Sequence, residues 1–274
     1  MDTLSLISAV LSVLGAVVAG VMTTWSARKA SMLEHRLAEQ RHQESKAEQA
    51  KEVLSRYREP LLLAAFSLQS RLHNAVSGVY FMNFLDHDDV DERRYARDYT
   101  VYVLAEYLCW VEILRREMRF LDLGDDESNR AFTRHLSAVT NELSTLRHPL
   151  PHFRLFRGQQ RAIGELCMVS GANGRSDSIT YPAFCTRIDG EPEFQRWFGR
   201  LRTDVDEIVT QRRSGSPDGN VRLLRTQHAL IDLIDFLDPD RTRVPDDRAK
   251  LREPVADQGS GTGTAPAQAA PTGA

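Results

Sequence analysis

The chain has 274 residues, 42% of them hydrophobic and 27% charged, which is the composition of a globular protein with one sizeable core or one domain plus appendages. A formal net charge of −3 gives no electrostatic reason to expect nucleic acid as a partner. Lysine occurs only at Lys29, Lys46, Lys51 and Lys250, so arginine is the default cation here and an arginine cluster carries less information than usual.

Residues 1–27 read as a transmembrane anchor. No charged residue occurs from Thr3 to Ala27. As a helix, Leu4 to Trp25 would cover about 30 Å at ~1.5 Å per residue, the thickness of a bilayer core. Trp25 falls where an interfacial aromatic is expected, and Arg28 and Lys29 follow it. That asymmetry predicts a single pass through the cell membrane, with the bulk of the chain cytoplasmic. A cleaved signal peptide fits less well, because the basic leading region is missing. Ser8, Ser12, Ala16 and Gly20 recur at helical spacing and form a stripe of small residues. Such a stripe lets two membrane helices pack closely, so a homodimer is one expected consequence.

Residues 28–59 read as a polar helical stalk, rich in good helix formers and without Gly or Pro. Heptad-like apolar spacing appears at Ala47, Ala50, Leu54, Tyr57, Leu61, Ala64 and Leu68, but backward it meets Gln43, Gln40 and Arg36. Both a solvated spacer and a weak dimeric coiled coil remain open. Pro60 is expected to kink or restart the helix.

Residues 60–239 read as an all-α domain. The predicted segments are Leu61–Leu85, an acidic loop and helix start at 86–92, Arg93–Leu123 stopped by Gly124, Asp126–Leu146, and Arg157–Val169. Residues 170–192 read as loop, with Ile179, Thr180 and Tyr181 as a short strand at most. Glu193–Arg212 and a last helix capped by Asn220 and ended before Pro239 complete the domain. Residues 240–274 read as a disordered tail, because charge and proline rise and the end, from Gln258, cannot bury apolar surface.

The candidate chemistry is sparse. Asp86, Asp88, Asp89 and Asp91 do not fit the calcium-loop pattern and read as a solvated loop. His148 and His152 are four apart, but Pro149 and Pro151 forbid the helix that would aim them at one metal. No serine-nucleophile or Walker motif occurs, and the glycines of 171–176 lack a phosphate-loop setting. The reading therefore includes no cofactor and no metal. Glu106 lies in the most apolar part of the long helix and needs a partner; Arg71, Gln69 and Asn74 are the candidates, and Glu112 raises the same question. Arg154, Arg157 and Arg161 stand near a helix start with Phe153 and Phe156, a candidate surface for an anionic ligand. Cys109, Cys167 and Cys185 form no disulfide framework and read as small hydrophobes.

The strings RYREPLLLAAFSLQSRLHN, YVLAEYLCWVEILRREMRFLDLG and FRLFRGQQRAIGEL resemble a family of uncharacterised bacterial, largely actinobacterial, membrane-anchored helical proteins. The resemblance spans roughly residues 55–170 and implies no activity or site. The leading expectation is a membrane-anchored interaction or scaffolding module that touches lipid through its first helix and binds an unknown protein partner. The alternative is a helical small-molecule-binding protein or hydrolase with Glu106, Arg71, Arg154, Arg157 and Arg161 around one pocket.

Overall fold

The computed structural model describes residues 22, 25, 36–42, 44, 45, 48, 52, 55–77, 83–85, 88–117, 127–171, 174–213, 220–245 and 248–252. Within them the protein is all-helical apart from one small hairpin. Residues 55–77 form α1. The remaining elements are α2 (Val90–Glu117), α3 (Glu127–Ser144), α4 (Arg157–Leu166), β1 (Met168–Ser170), β2 (Ser176–Ser178), α5 (Tyr181–Gly190), α6 (Pro192–Arg213) and α7 (Val221–Leu237).

The central element is α2, about 42 Å long at ~1.5 Å per residue. The Asp89 carboxylate accepts from the Asp91 and Glu92 amides at 2.8 and 3.1 Å, which caps its start. Acids in the first turn and Arg115 and Arg116 in the last suit the helix dipole. Around α2 pack α4, α5, α6 and β2, while α3 pairs with α7. The backbones come close at Gly164 of α4, where an added Cβ would stand 2.5 Å from the Leu108 carbonyl oxygen. The apolar faces read from the sequence are the faces that pack: Val103, Tyr107 and Leu114; Phe132, Val139 and Leu143; Phe194, Phe198, Leu201, Val205 and Ile208.

Several expectations change. The helix of residues 55–77 runs through Pro60 rather than restarting there. Tyr57, Leu61, Ala64 and Leu68, the described half of the heptad-like seam, are buried in the protein's own core, so they are not open to a coiled-coil partner. Described stalk residues 36–42, 44, 45, 48 and 52 are helical and exposed; Ala47, Ala50 and Leu54 lie outside the described residues. The region 170–192 is not a loop. Ser176–Ser178 pairs antiparallel with Met168–Ser170, and Tyr181 begins a helix rather than ending a strand. Pro182 stands in the first turn of α5, where its missing amide hydrogen costs nothing. Asn220 precedes α7 as expected but makes no side-chain capping bond.

The tail boundary also moves. The Asp238 carboxylate accepts from the backbone amides of Thr242, Arg243 and Val244 at 3.1–3.3 Å, turning the chain back along α7. Arg248 is buried and reaches Asp235 at 3.0 Å. Gln227 holds both the Ala249 carbonyl and the Leu251 amide. Residues 241–245 and 248–252 therefore belong to the body, and the tail beyond them lies outside the described residues. So do Gly124 and the small-residue stripe of Ser8, Ser12, Ala16 and Gly20. Among the described residues no helix is long and apolar enough to cross a membrane.

Candidate functional site

Glu106 lies in a groove of about 460 Å³ between α1 and α2, with Arg56, Glu59, Pro60, Leu63, Ser67 and Trp110 around it. Helical spacing on α2 sets Glu106 and Trp110 on one face, one turn apart. Trp110 leans on Tyr57 of α1, ring centroids 6.4 Å apart, which fixes the floor of the groove. The Tyr102 hydroxyl, one turn earlier, lies 3.1 Å from the Glu106 carboxylate and 3.2 Å from the Ile179 carbonyl oxygen, so it is shared between them. Burial pushes the Glu106 carboxyl above the usual carboxylate range; the Tyr102 bond works against that rise and Asp177 adds to it. Leu63 contributes a large exposed apolar side chain at the rim.

The cations expected beside Glu106 are not gathered there. The Arg71 guanidinium lies 4.6 Å from the centre of the Tyr99 ring and 5.6 Å from that of Tyr95. Tyr95, Tyr99, Tyr102 and Tyr181 form a continuous aromatic cluster around this position. Arg154 stands over Phe156, 5.6 Å from its ring centre. Arg157 donates to the Asn141 side chain at 2.9 Å, and Arg161 comes within 3.9 Å of Glu112. The reason is the placement of α4 between α2 and α3: each neighbour takes one of its arginines. The single pocket of Glu106, Arg71, Arg154, Arg157 and Arg161 is thus not assembled.

Glu112 is a structural ion. It is buried, with Arg115 at 2.5 and 2.7 Å and Arg116 at 3.0 Å. Burial alone would raise its pKa; the Arg115 and Arg116 bonds overcome that and hold it below the usual range. Asp98 was not singled out from the sequence, yet among the described residues no carboxylate is less exposed. Arg202 of α6 grips it with two bonds at 2.8 and 2.6 Å, Arg97 lies 3.0 Å away, and Arg94 links it to Asp189. Against the rise that burial causes, Arg202 and Arg97 hold its pKa below the ordinary value. Its only hint in the sequence is position, at the point where the polar start of α2 turns apolar.

Arg222 of α7 was also missed. It is buried and points into the end of α3, donating to the carbonyls of His152 (3.0 Å), Glu142 (2.8 Å), Leu143 (3.2 Å) and Thr145 (3.1 Å), with Leu150 at 3.5 Å. These carbonyls belong to the last turn of a helix and the loop after it, where intrahelical partners run out. The two histidines part company: His148 meets Glu142 at 2.9 Å and His152 meets Asp204 at 3.2 Å. Phe153, next to His152, has a φ of 55°; its ring is buried and its amide donates to Asp204 at 2.8 Å, which holds this strained backbone in place.

Cys109 and Cys167 are buried free thiols, as their apolar surroundings suggested, and burial pushes the Cys109 thiol up to about 12. In the 171–176 segment a strand, not a helix, follows, so the glycines serve a hairpin turn, with Gly174 at a φ of 69°. The chain matches no family model, no curated protein and no solved structure.

Proposed function

We propose that this protein is a single-pass membrane-anchored helical module whose cytoplasmic body docks a protein partner. The observation that carries the reading is the uncharged run from Thr3 to Ala27, followed by Arg28 and Lys29 and then by an exposed polar helix. A helix polar all round spans solvent, so it sets the body off from the bilayer. The body's ion-paired carboxylates support a binding rather than a catalytic role, because Asp98 is taken up by Arg202 of a second helix and Glu112 by Arg115 and Arg116 of its own. The partner face is the groove at the root of the stalk, where Leu63 and Trp110 offer apolar surface beside Glu106 and Glu59. Two copies associate through the anchor stripe of Ser8, Ser12, Ala16 and Gly20, since the seam from Tyr57 onward is spent on the core.

The test is extraction followed by stoichiometry. The protein should resist an alkaline wash of membranes, dissolve in detergent, and run there as a dimer or with a bound partner that Leu63→Asp releases. Recovery in the aqueous fraction without detergent would remove the anchor. A strictly monomeric, partner-free particle would remove the docking role.

A further inference from the structure

At the far end of α3 lies a cleft of about 860 Å³, bounded by Asn141, Ser144, Thr145, Arg147, His148 and Arg225, with Glu142 in its wall. Its volume is in the range of small-ligand sites. Its chemistry is unlike that of the groove at Glu106, because it is rich in donors and in positive charge.

The one carboxylate here, Glu142, is engaged: it faces His148 Nε2 at 2.9 Å. In the imidazolium form the ring donates to Glu142 through Nε2 and has a second donor, Nδ1–H, to offer an anion. Thr145 Oγ1 accepts from the Arg147 amide at 3.2 Å, so its own O–H proton is available to donate. Asn141 Oδ1 accepts from Arg157, which leaves the Asn141 amide hydrogens as donors. Arg147 is exposed at the rim and meets no carboxylate among the described residues. By contrast, Arg94, Arg97, Arg115, Arg116, Arg202 and Arg248 all sit on carboxylates. Behind the cleft wall Arg222 adds a buried positive charge whose contacts are carbonyl dipoles, and those contacts fasten the backbone of residues 142–152.

A site that gathers a guanidinium, a hydroxyl, an amide and an imidazole, with its only acid already engaged, suits a compact oxyanion with several oxygens and more than one charge. We propose that this cleft binds a phosphomonoester group, with Arg147, Thr145 and His148 contacting its oxygens.

The experiment is calorimetric titration of the full-length protein in nonionic detergent with glycerol phosphate, with inorganic phosphate and with short-chain dihexanoyl phosphatidate. Saturable binding with a Kd of about 1 mM or tighter is expected. Arg147→Ala, an exposed substitution that leaves the core intact, should weaken it by about tenfold or more, and Thr145→Val should weaken it further. Tighter binding of phosphatidate than of glycerol phosphate would assign the group to a lipid headgroup, and equal binding to a soluble ester; either supports the site. Absence of saturable binding to all three, or equal binding by the wild type and the Arg147→Ala variant, overturns it.

Discussion

Replacing Arg222 with Met removes the guanidinium and keeps most of the aliphatic volume. Of the five carbonyls it serves, Leu143 keeps a second donor, the Leu155 amide at 2.9 Å, and Leu150 is already distant at 3.5 Å. The carbonyls of His152, Glu142 and Thr145 lose donors at 3.0, 2.8 and 3.1 Å. An abandoned buried acceptor costs roughly 1–3 kcal/mol. Water entering from the rim and the relief of burying a charge offset about half of that sum. The net loss is about 3 kcal/mol, or about 6–12 °C in Tm for a body of this size. Thermal and urea unfolding followed by circular dichroism would measure it, and amide exchange should show residues 142–156 loosening first. Lys in place of Arg keeps the charge but not the planar fork, so it should recover less than half of the loss. If the Met variant stays within about 0.5 kcal/mol of the wild type, the carbonyls have other partners and the fastening argument is wrong.

Asp98→Asn should cost about 3–5 kcal/mol, since it leaves Arg202 and its neighbours facing an uncharged buried group. Because arginines hold the Asp98 pKa below its ordinary 3.8, the wild type should lose this stability as pH falls below that value, and an acid titration of Tm should show the variant without that loss. Glu106 has the opposite sign: its raised pKa destabilises the fold at neutral pH, so Glu106→Gln should raise Tm at pH 7, and the gap should close below pH 4.5. A Tm gap that does not change with pH would refute the burial argument for Glu106. Gly164→Ala puts a methyl group 2.5 Å from the Leu108 carbonyl and 2.9 Å from Glu112 Cβ, and should lower stability by about 2 kcal/mol or more in denaturant titration.

The helical body was legible because its faces repeat. Phe194, Phe198, Leu201, Val205 and Ile208 announce one buried stripe, and the core contains them. Residues 170–192 misled because Pro182, Gly190 and Pro192 read as breakers, whereas here Pro182 and Gly190 stand at the start and end of a 10-residue helix and Pro192 opens one of 22 residues. The hairpin strands, each three residues long, are too short to show an alternating pattern. Glu106 and Glu112 stood out against apolar neighbours, but Asp98 is surrounded by arginines in sequence and reads as a solvated helix start. Its decisive partner, Arg202, is 104 residues away. The candidate pocket failed for the same reason: helical spacing tells which side chains share a face, but not which neighbouring helix will claim each one.

The return of the chain along α7 alters what counts as the cooperative unit. Arg248, whose side chain is wholly enclosed, braces Asp235 and Asp238, and Lys250 reaches Asp232 at 2.6 Å. A truncation at residue 240, where composition suggests that a compact domain is complete, would strip one flank from the last helix and leave those three acids without their cations. Shortened versions of this protein need to extend at least to Arg252 if they are to fold as the same object.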